Sequence, residues 1–276
     1  MRIDSHQHFW TYDPVEYGWM DERMGALKSD HLPEDLAPLL AAHELDGCIA
    51  VQARQSLEEN EFLLGLAARA ECVKGVVGWV ELCSPEVGAQ LDALANEPKL
   101  VGVRHVVQDE PDDAFLLRED FQRGVAELAG RGLVYDVLIY PKQLPAALRF
   151  VERFPDQPMV LDHIAKPLVA AGQLEPWASQ MRELGQNPHL ACKLSGLITE
   201  ADWEHWTPDD FLPYFEVVRE AFGEERLMYG SDWPVCKLAG DYGRVVQLAE
   251  RFASELSAAG RDAFWGANAA RVYGLA

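Results

Sequence analysis

The chain opens MRIDSHQHFW, with His6 and His8 two residues apart. On an extended strand, residues i and i+2 share a face, so the two imidazoles are expected to point the same way, with Asp4 deeper on the same side. Two more residues of the right chemistry end apolar runs: His163 in VLDHIAKP and Asp232 in LMYGSDWP. Three imidazoles and one carboxylate are ligand types that suit zinc. The same groups also suit metal-free hydrolysis, with Asp232 as the base toward water and the histidines donating hydrogen bonds to a carbonyl oxygen. Residue types alone leave both chemistries open.

These residues meet only if the elements carrying them open onto one place. Eight apolar runs read as strands: 2–8, 47–52, 75–82, 100–106, 133–139, 159–164, 190–195 and 227–233. Between most of them lie amphipathic stretches such as REDFQRGVAELAGRG, with the 3.6-residue recurrence of helices buried on one face. Strands alternating with helices imply parallel pairing through right-handed crossovers. At 276 residues this predicts a single-domain (β/α)8 barrel over 1–276. An open doubly wound sheet is the alternative, but no GxGxxG follows the first strand. In a barrel, His6, His8, His163 and Asp232 all fall at the C-terminal rim, where active sites are built. Two long segments join them there. Residues 9–33 carry Trp10, Tyr12, Tyr17 and Trp19, and residues 196–210 carry Trp203 and Trp206, read as walls or a lid for a small ligand.

Composition narrows the ligand. A net charge of −21 repels phosphodiester backbones, which argues against nucleic acid and favours a small neutral molecule or a cation. No run of 18 or more apolar residues exists, so no membrane partner is expected. Five cysteines without a CxxC pair, and a polar start without a signal-like apolar region, predict a reduced, cytoplasmic protein. Cys48 and Cys192 read as core residues and Cys236 as a neighbour of the site. A homo-oligomer is left open.

The segments DSHQHFW, DHIAKP and YGSDWP, in this order and spacing, resemble the amidohydrolase superfamily. They are most similar to its amidohydrolase-related branch, which includes sugar lactonases of the L-fuconolactonase and L-rhamnonolactonase type. The likeness runs through all eight strands. It implies that His6, His8, His163 and Asp232 line the active site and can hold one divalent metal. Two-metal members carry a bridging lysine or glutamate on strand 4 and histidines on strands 5 and 6. Here strand 4 offers Arg104 and His105, and strand 5 offers Asp136. At most one divalent ion is therefore expected, zinc first, and activity without a metal stays open.

The implied reaction is hydrolysis of a sugar lactone, such as L-fuconolactone or a related 1,4- or 1,5-lactone, with Asp232 and His163 as catalytic residues. A strained ester demands less electrophilic help than an amide, which matches a site lacking half the usual ligands. Arg104, inside an apolar run, needs a partner: a substrate oxygen or a neighbouring acid. Gln52 and Arg54 in VQARQ are candidates for sugar hydroxyls and Trp10 for an aromatic wall, with Glu81 and Asp136 behind them. Lys166 reads as a helix-entry or surface residue. His31, His43, His189 and His205 read as structural. The alternatives are another reaction of the branch, such as non-oxidative decarboxylation or dicarboxylate lactone hydrolysis, and more distantly a metal-dependent nuclease or a binding protein.

Overall fold

The computed structural model describes residues 1–275. Eight strands, β1 (Ile3–Gln7), β2 (Gly47–Val51), β3 (Val73–Gly78), β4 (Leu100–His105), β5 (Val134–Val137), β6 (Met159–Leu161), β7 (Leu190–Leu194) and β8 (Leu227–Tyr229), lie in sequence order, each parallel to the next. The helices α1 (Pro33–Ala42), α2 (Leu57–Arg69), α3 (Val87–Ala93), α4 (Glu119–Ala129), α5 (Leu144–Arg153), α6 (Trp177–Leu184), α7 (Leu212–Phe222) and α8 (Tyr242–Ala253) alternate with them; α9 (Ala258–Asp262) and α10 (Asn268–Tyr273) follow. This is the expected (β/α)8 barrel.

Each helix forms where one face is apolar. In α4, Phe121, Val125 and Leu128 recur at i, i+4 and i+7 and are buried against the strands. Inside the barrel a separate cluster fills the lower half: Ile3, Ile49, Val51, Val77, Val101, Val134, Val160, Ala191 and Met228, closed from below by Ala269 and Tyr273 of α10.

The barrel closes just beyond the formal end of β8. His8 N–H donates to the Trp233 carbonyl at 2.7 Å, and Asp232 N–H donates to the His6 carbonyl at 2.8 Å. The seam between first and last strands is thus made by the segments that carry the candidate chemistry.

Several strands are shorter than their apolar runs. β6 stops at Leu161 and β8 at Tyr229, so His163 and Asp232 lie in the turns that follow. Asp4 departs from the expected shared face. The register of β1 shifts between Asp4 and Gln7, and the Asp4 carboxylate accepts from Ser231 N–H at 2.8 Å and from the Tyr242 hydroxyl of α8 at 3.0 Å. It ties the β1–β8 seam to the helix layer, and burial raises its pKa to about 6.

Candidate active site

The deepest layer of the site is ionic. Lys193 of β7 is fully buried, with its ammonium paired to Asp136 of β5 and 3.0 Å from Asp162 Oδ1. The Tyr273 hydroxyl donates to Asp136 at 2.7 Å. Arg104 of β4 reaches the other Asp162 oxygen at 3.1 Å and donates to the Gln52 carbonyl at 2.6 Å. Two cations face two carboxylates, so this layer balances its own charge. Burial pushes the Asp136 carboxyl up to about 6, opposed by Lys193. Burial also raises Asp162, but Lys193, His6 and Arg104 outweigh it and hold that carboxyl well below the usual range.

His6 stands on this layer. Its Nδ1 lies 3.3 Å from both Asp162 Oδ1 and the Lys193 ammonium, and its Nε2 faces the cleft side, 3.3 Å from the Arg104 guanidinium and 3.2 Å from His8 Nε2. Burial lowers its pKa well below 6.5, so the ring is neutral. Gly230 leaves room for it, since a Cβ there would lie 2.7 Å from His6 Cβ. His8 Nδ1 donates to the Val51 carbonyl at 2.8 Å, which leaves its Nε2 lone pair available.

Three potential ligand atoms then converge. His6 Nε2 and His8 Nε2 are 3.2 Å apart, and Asp232 Oδ1 lies 3.7 and 3.3 Å from them. Tetrahedral zinc with bonds of about 2.0–2.1 Å separates its ligands by about 3.4 Å. The donor set therefore fits one divalent ion and leaves a coordination position for water or substrate, as catalytic zinc sites do. A second group (His6, Asp162, His163) also lies close together, but Lys193 and Arg104 already neutralise its carboxylate.

His163 comes from a turn with unusual backbone. Residues 163 to 166 all have positive φ, at 53°, 46°, 57° and 48°. His163 Nδ1 meets the Ser195 hydroxyl at 2.9 Å, and its ring lies against Gly196, where a Cβ would sit 2.5 Å from Nδ1. Burial lowers its pKa to about 4. Burial also works to raise the Asp232 carboxyl, but the surrounding imidazoles of His163, His8 and His6 outweigh it, and Asp232 is held below the ordinary carboxylate range.

A match to the amidohydrolase family runs over residues 3–275, essentially the whole barrel. The chain belongs to the amidohydrolase family. It is similar to an L-fucono-1,5-lactonase of Burkholderia multivorans, 46% identical over 286 residues that cover 100% of this chain and 96% of the relative. An L-fucono-1,5-lactonase of Burkholderia ambifaria is 38% identical, covering 99% and 95% of the two chains. A crystal structure of a Burkholderia multivorans amidohydrolase with bound zinc superposes with a TM-score of 0.95 at 46% identity, covering 100% of both chains.

In this amidohydrolase the site opens into a cleft of about 710 Å³, lined by His8, His163, Asp232, Arg104 and the two long loops. Trp10 and Trp19 from the first loop and Trp203 from the other stand in its walls. Trp10 is also the centre of a small loop core with Tyr17, Met20 and Leu27, and its indole N–H donates to the Ser29 carbonyl at 3.0 Å. Arg54 lines the cleft but is held by Glu16 at 2.7 Å and Glu59 at 2.8 Å. Gln52 lies beneath the cleft, fully buried, and its amide donates to the Arg104 carbonyl at 3.2 Å. Of the cysteines, Cys48 and Cys192 are core residues and Cys236 is buried one turn after Asp232, to whose carbonyl its N–H donates. Among the described residues, no helix is long and apolar enough to cross a membrane.

Sequence reasoning passed over Asp162 and Lys193. Asp162 stands beside His163 in VLDHIAKP and was not singled out. Lys193 lies in LACKLS, where a charged residue at the centre of an apolar strand is itself a signal, the same one that singled out Arg104. Lys166, read as a helix-entry or surface residue, lines the cleft instead.

Proposed function

We propose that this amidohydrolase opens a sugar 1,5-lactone, L-fucono-1,5-lactone or a close relative, to the corresponding aldonic acid. The observation that carries the reading is the convergence of His6, His8 and Asp232 at the floor of an aromatic-walled cleft. The full-length similarity to two L-fucono-1,5-lactonases names the substrate class.

His6, His8 and Asp232 would hold one divalent ion, and the zinc of the similar Burkholderia multivorans structure makes zinc the first choice. Such an ion, when bound, polarises the lactone carbonyl and lowers the pKa of water. Asp232, ionised at neutral pH, accepts a proton from the attacking water. Water oxygen bonds to the carbonyl carbon, the ring C–O bond breaks, and the proton held by Asp232 passes to the departing ring oxygen. The product is a hydroxy acid, with atoms and charge conserved. His163, fixed by Ser195 and Gly196, presents Nε2 to the cleft as a hydrogen-bonding group for the substrate oxygen. Trp19 and Trp203 exclude water and offer faces to the C–H side of the ring, with the fully buried Trp10 packed behind them.

Hydrolysis of a dicarboxylated lactone, or decarboxylation of an aromatic acid, would need cations free to bind substrate carboxylates. Each of the three Arg and Lys side chains lining the cleft, among the described residues, has a carboxylate beside it: Arg104 faces Asp162, Arg54 faces Glu16 and Glu59, and Lys166 faces Glu200. That favours a neutral small molecule. The net charge of −21 supports the same view and opposes a nucleic-acid partner. Cytoplasmic residence suits a sugar-catabolic enzyme, and self-association is compatible with this reading.

The test is a pH-indicator assay of the purified enzyme on a panel of aldonolactones, beside Asp232→Asn. Acid release from a 1,5-lactone, lost about a thousandfold in the variant, is expected. No turnover of any lactone would refute the function, and near-parental turnover by Asp232→Asn would remove it as the base. Full activity after chelation, with metal content confirmed as nil, would assign carbonyl activation to the histidines alone.

A further inference from the structure

Residues 163–166 form one turn of left-handed helix, closed by Lys166 N–H donating to the His163 carbonyl at 2.8 Å. L-residues avoid this conformation, and a β-branched residue such as Ile164 is among the least suited to it. The surroundings enforce the turn. Ile164 and Ala165 are fully buried, and the Trp177 indole N–H donates to the Ile164 carbonyl at 2.8 Å. Its consequence is to aim two side chains from one short segment into the cleft: His163 at the floor and Lys166 on the wall.

On that wall Lys166 faces Glu200, from the loop after β7. Their charged atoms are 3.6 Å apart, an ion pair too long for a full hydrogen bond. Both are mostly buried, with side-chain exposures of 15% and 19%. The Lys166 ammonium also lies 5.2 Å from the Tyr140 ring centre. The contrast is with Arg54, whose guanidinium is held by two carboxylates at 2.7 and 2.8 Å. Lys166 and Glu200 keep donor and acceptor capacity directed into the cleft, an ammonium beside a carboxylate. Vicinal hydroxyls complement such a pair, each O–H donating to the carboxylate and accepting from the ammonium.

We propose that Lys166 and Glu200 form the subsite that recognises the ring hydroxyls of the lactone. This rests on the lactone reading above and adds which residues make the enzyme prefer a polyhydroxylated ring. The left-handed turn carries Lys166 and His163 on one short segment, which places this subsite beside the floor of the site.

The experiment uses the full-length enzyme, L-fucono-1,5-lactone as substrate, and 1,5-anhydro-L-fucitol, a cyclic polyol without a carbonyl, as competitive inhibitor. Lys166→Met and Glu200→Gln lie on different loops, so a folding defect in one leaves the other informative. Each is expected to raise KM roughly tenfold, with kcat within about twofold, and to raise the inhibitor Ki in parallel. Unmoved KM and Ki in both variants would overturn the subsite, as would a fall in kcat at constant KM. A parent enzyme that turns over no lactone would overturn the function and the subsite together, whereas an active parent with unmoved constants would overturn the subsite alone.

Discussion

Replacing Lys193 by Met keeps the length of the side chain and removes the charge from the centre of the ionic layer. In the parent, Lys193 is fully buried between Asp136 and Asp162, with Asp162 Oδ1 at 3.0 Å. At an effective dielectric of about 20, a unit pair at that distance is worth about 5 kcal/mol. Breaking one partner from a buried pair costs about 3–5 kcal/mol in measured cases. Part of this is recoverable, because burial already places Asp136 at about 6 and loss of the ammonium drives it higher, so it takes up a proton. The net loss at pH 7 is therefore about 2–4 kcal/mol. The sign with pH follows: a carboxyl whose folded pKa is raised favours the protonated fold, so its penalty shrinks as pH falls through that pKa. Denaturant unfolding at pH 7 and 5.5 should show a deficit at pH 7 that is smaller at pH 5.5. Adding Asp136→Asn should restore part of the loss at pH 7. A Lys193→Met protein as stable as the parent at both values would refute the assignment of Lys193 as counter-ion to two buried carboxylates.

Other expectations follow from the same geometry. Gly196→Ala places a methyl 2.5 Å from His163 Nδ1 at a φ of +62°, and should cut kcat at least tenfold while lowering stability by about 1–3 kcal/mol, read by kinetics and thermal melting. His8→Ala removes one of three convergent donor atoms, and metal analysis after equilibration with zinc should find occupancy well below the parent's. Tyr273→Phe deletes the hydroxyl that donates to Asp136 and should cost about 1–2 kcal/mol of stability with little change in KM, since Tyr273 lies beneath the barrel core.

Much of the site was legible because strand periodicity and chemistry coincide. His6 and His8 announce themselves as a pair on a strand, and eight alternating units leave only one rim where His163 and Asp232 could join them. Arg104 was legible as a buried charge in search of a partner, but not which partner. Asp162 proved to be it, and only folding brings β4 and the turn after β6 within 3.1 Å. Asp4 was misplaced because period-two reasoning assumes regular register, and β1 breaks it within three residues. Lys166 was misplaced because nothing in IAKP signals four successive left-handed residues; the burial of Ile164 and Ala165 and the Trp177 hydrogen bond impose them.

The amino-acid pattern by itself determined a (β/α)8 barrel and which histidines and carboxylate stand at its C-terminal rim, because periodicity and residue type are local properties. The tertiary structure alone decided which three donor atoms lie within ligand distance of one another and which arginines are already engaged. It also decided that a lysine from β7 neutralises the floor and that Lys166 turns inward. Those outcomes depend on distances between elements far apart in the chain, set by barrel closure at the seam of Asp232 and His6.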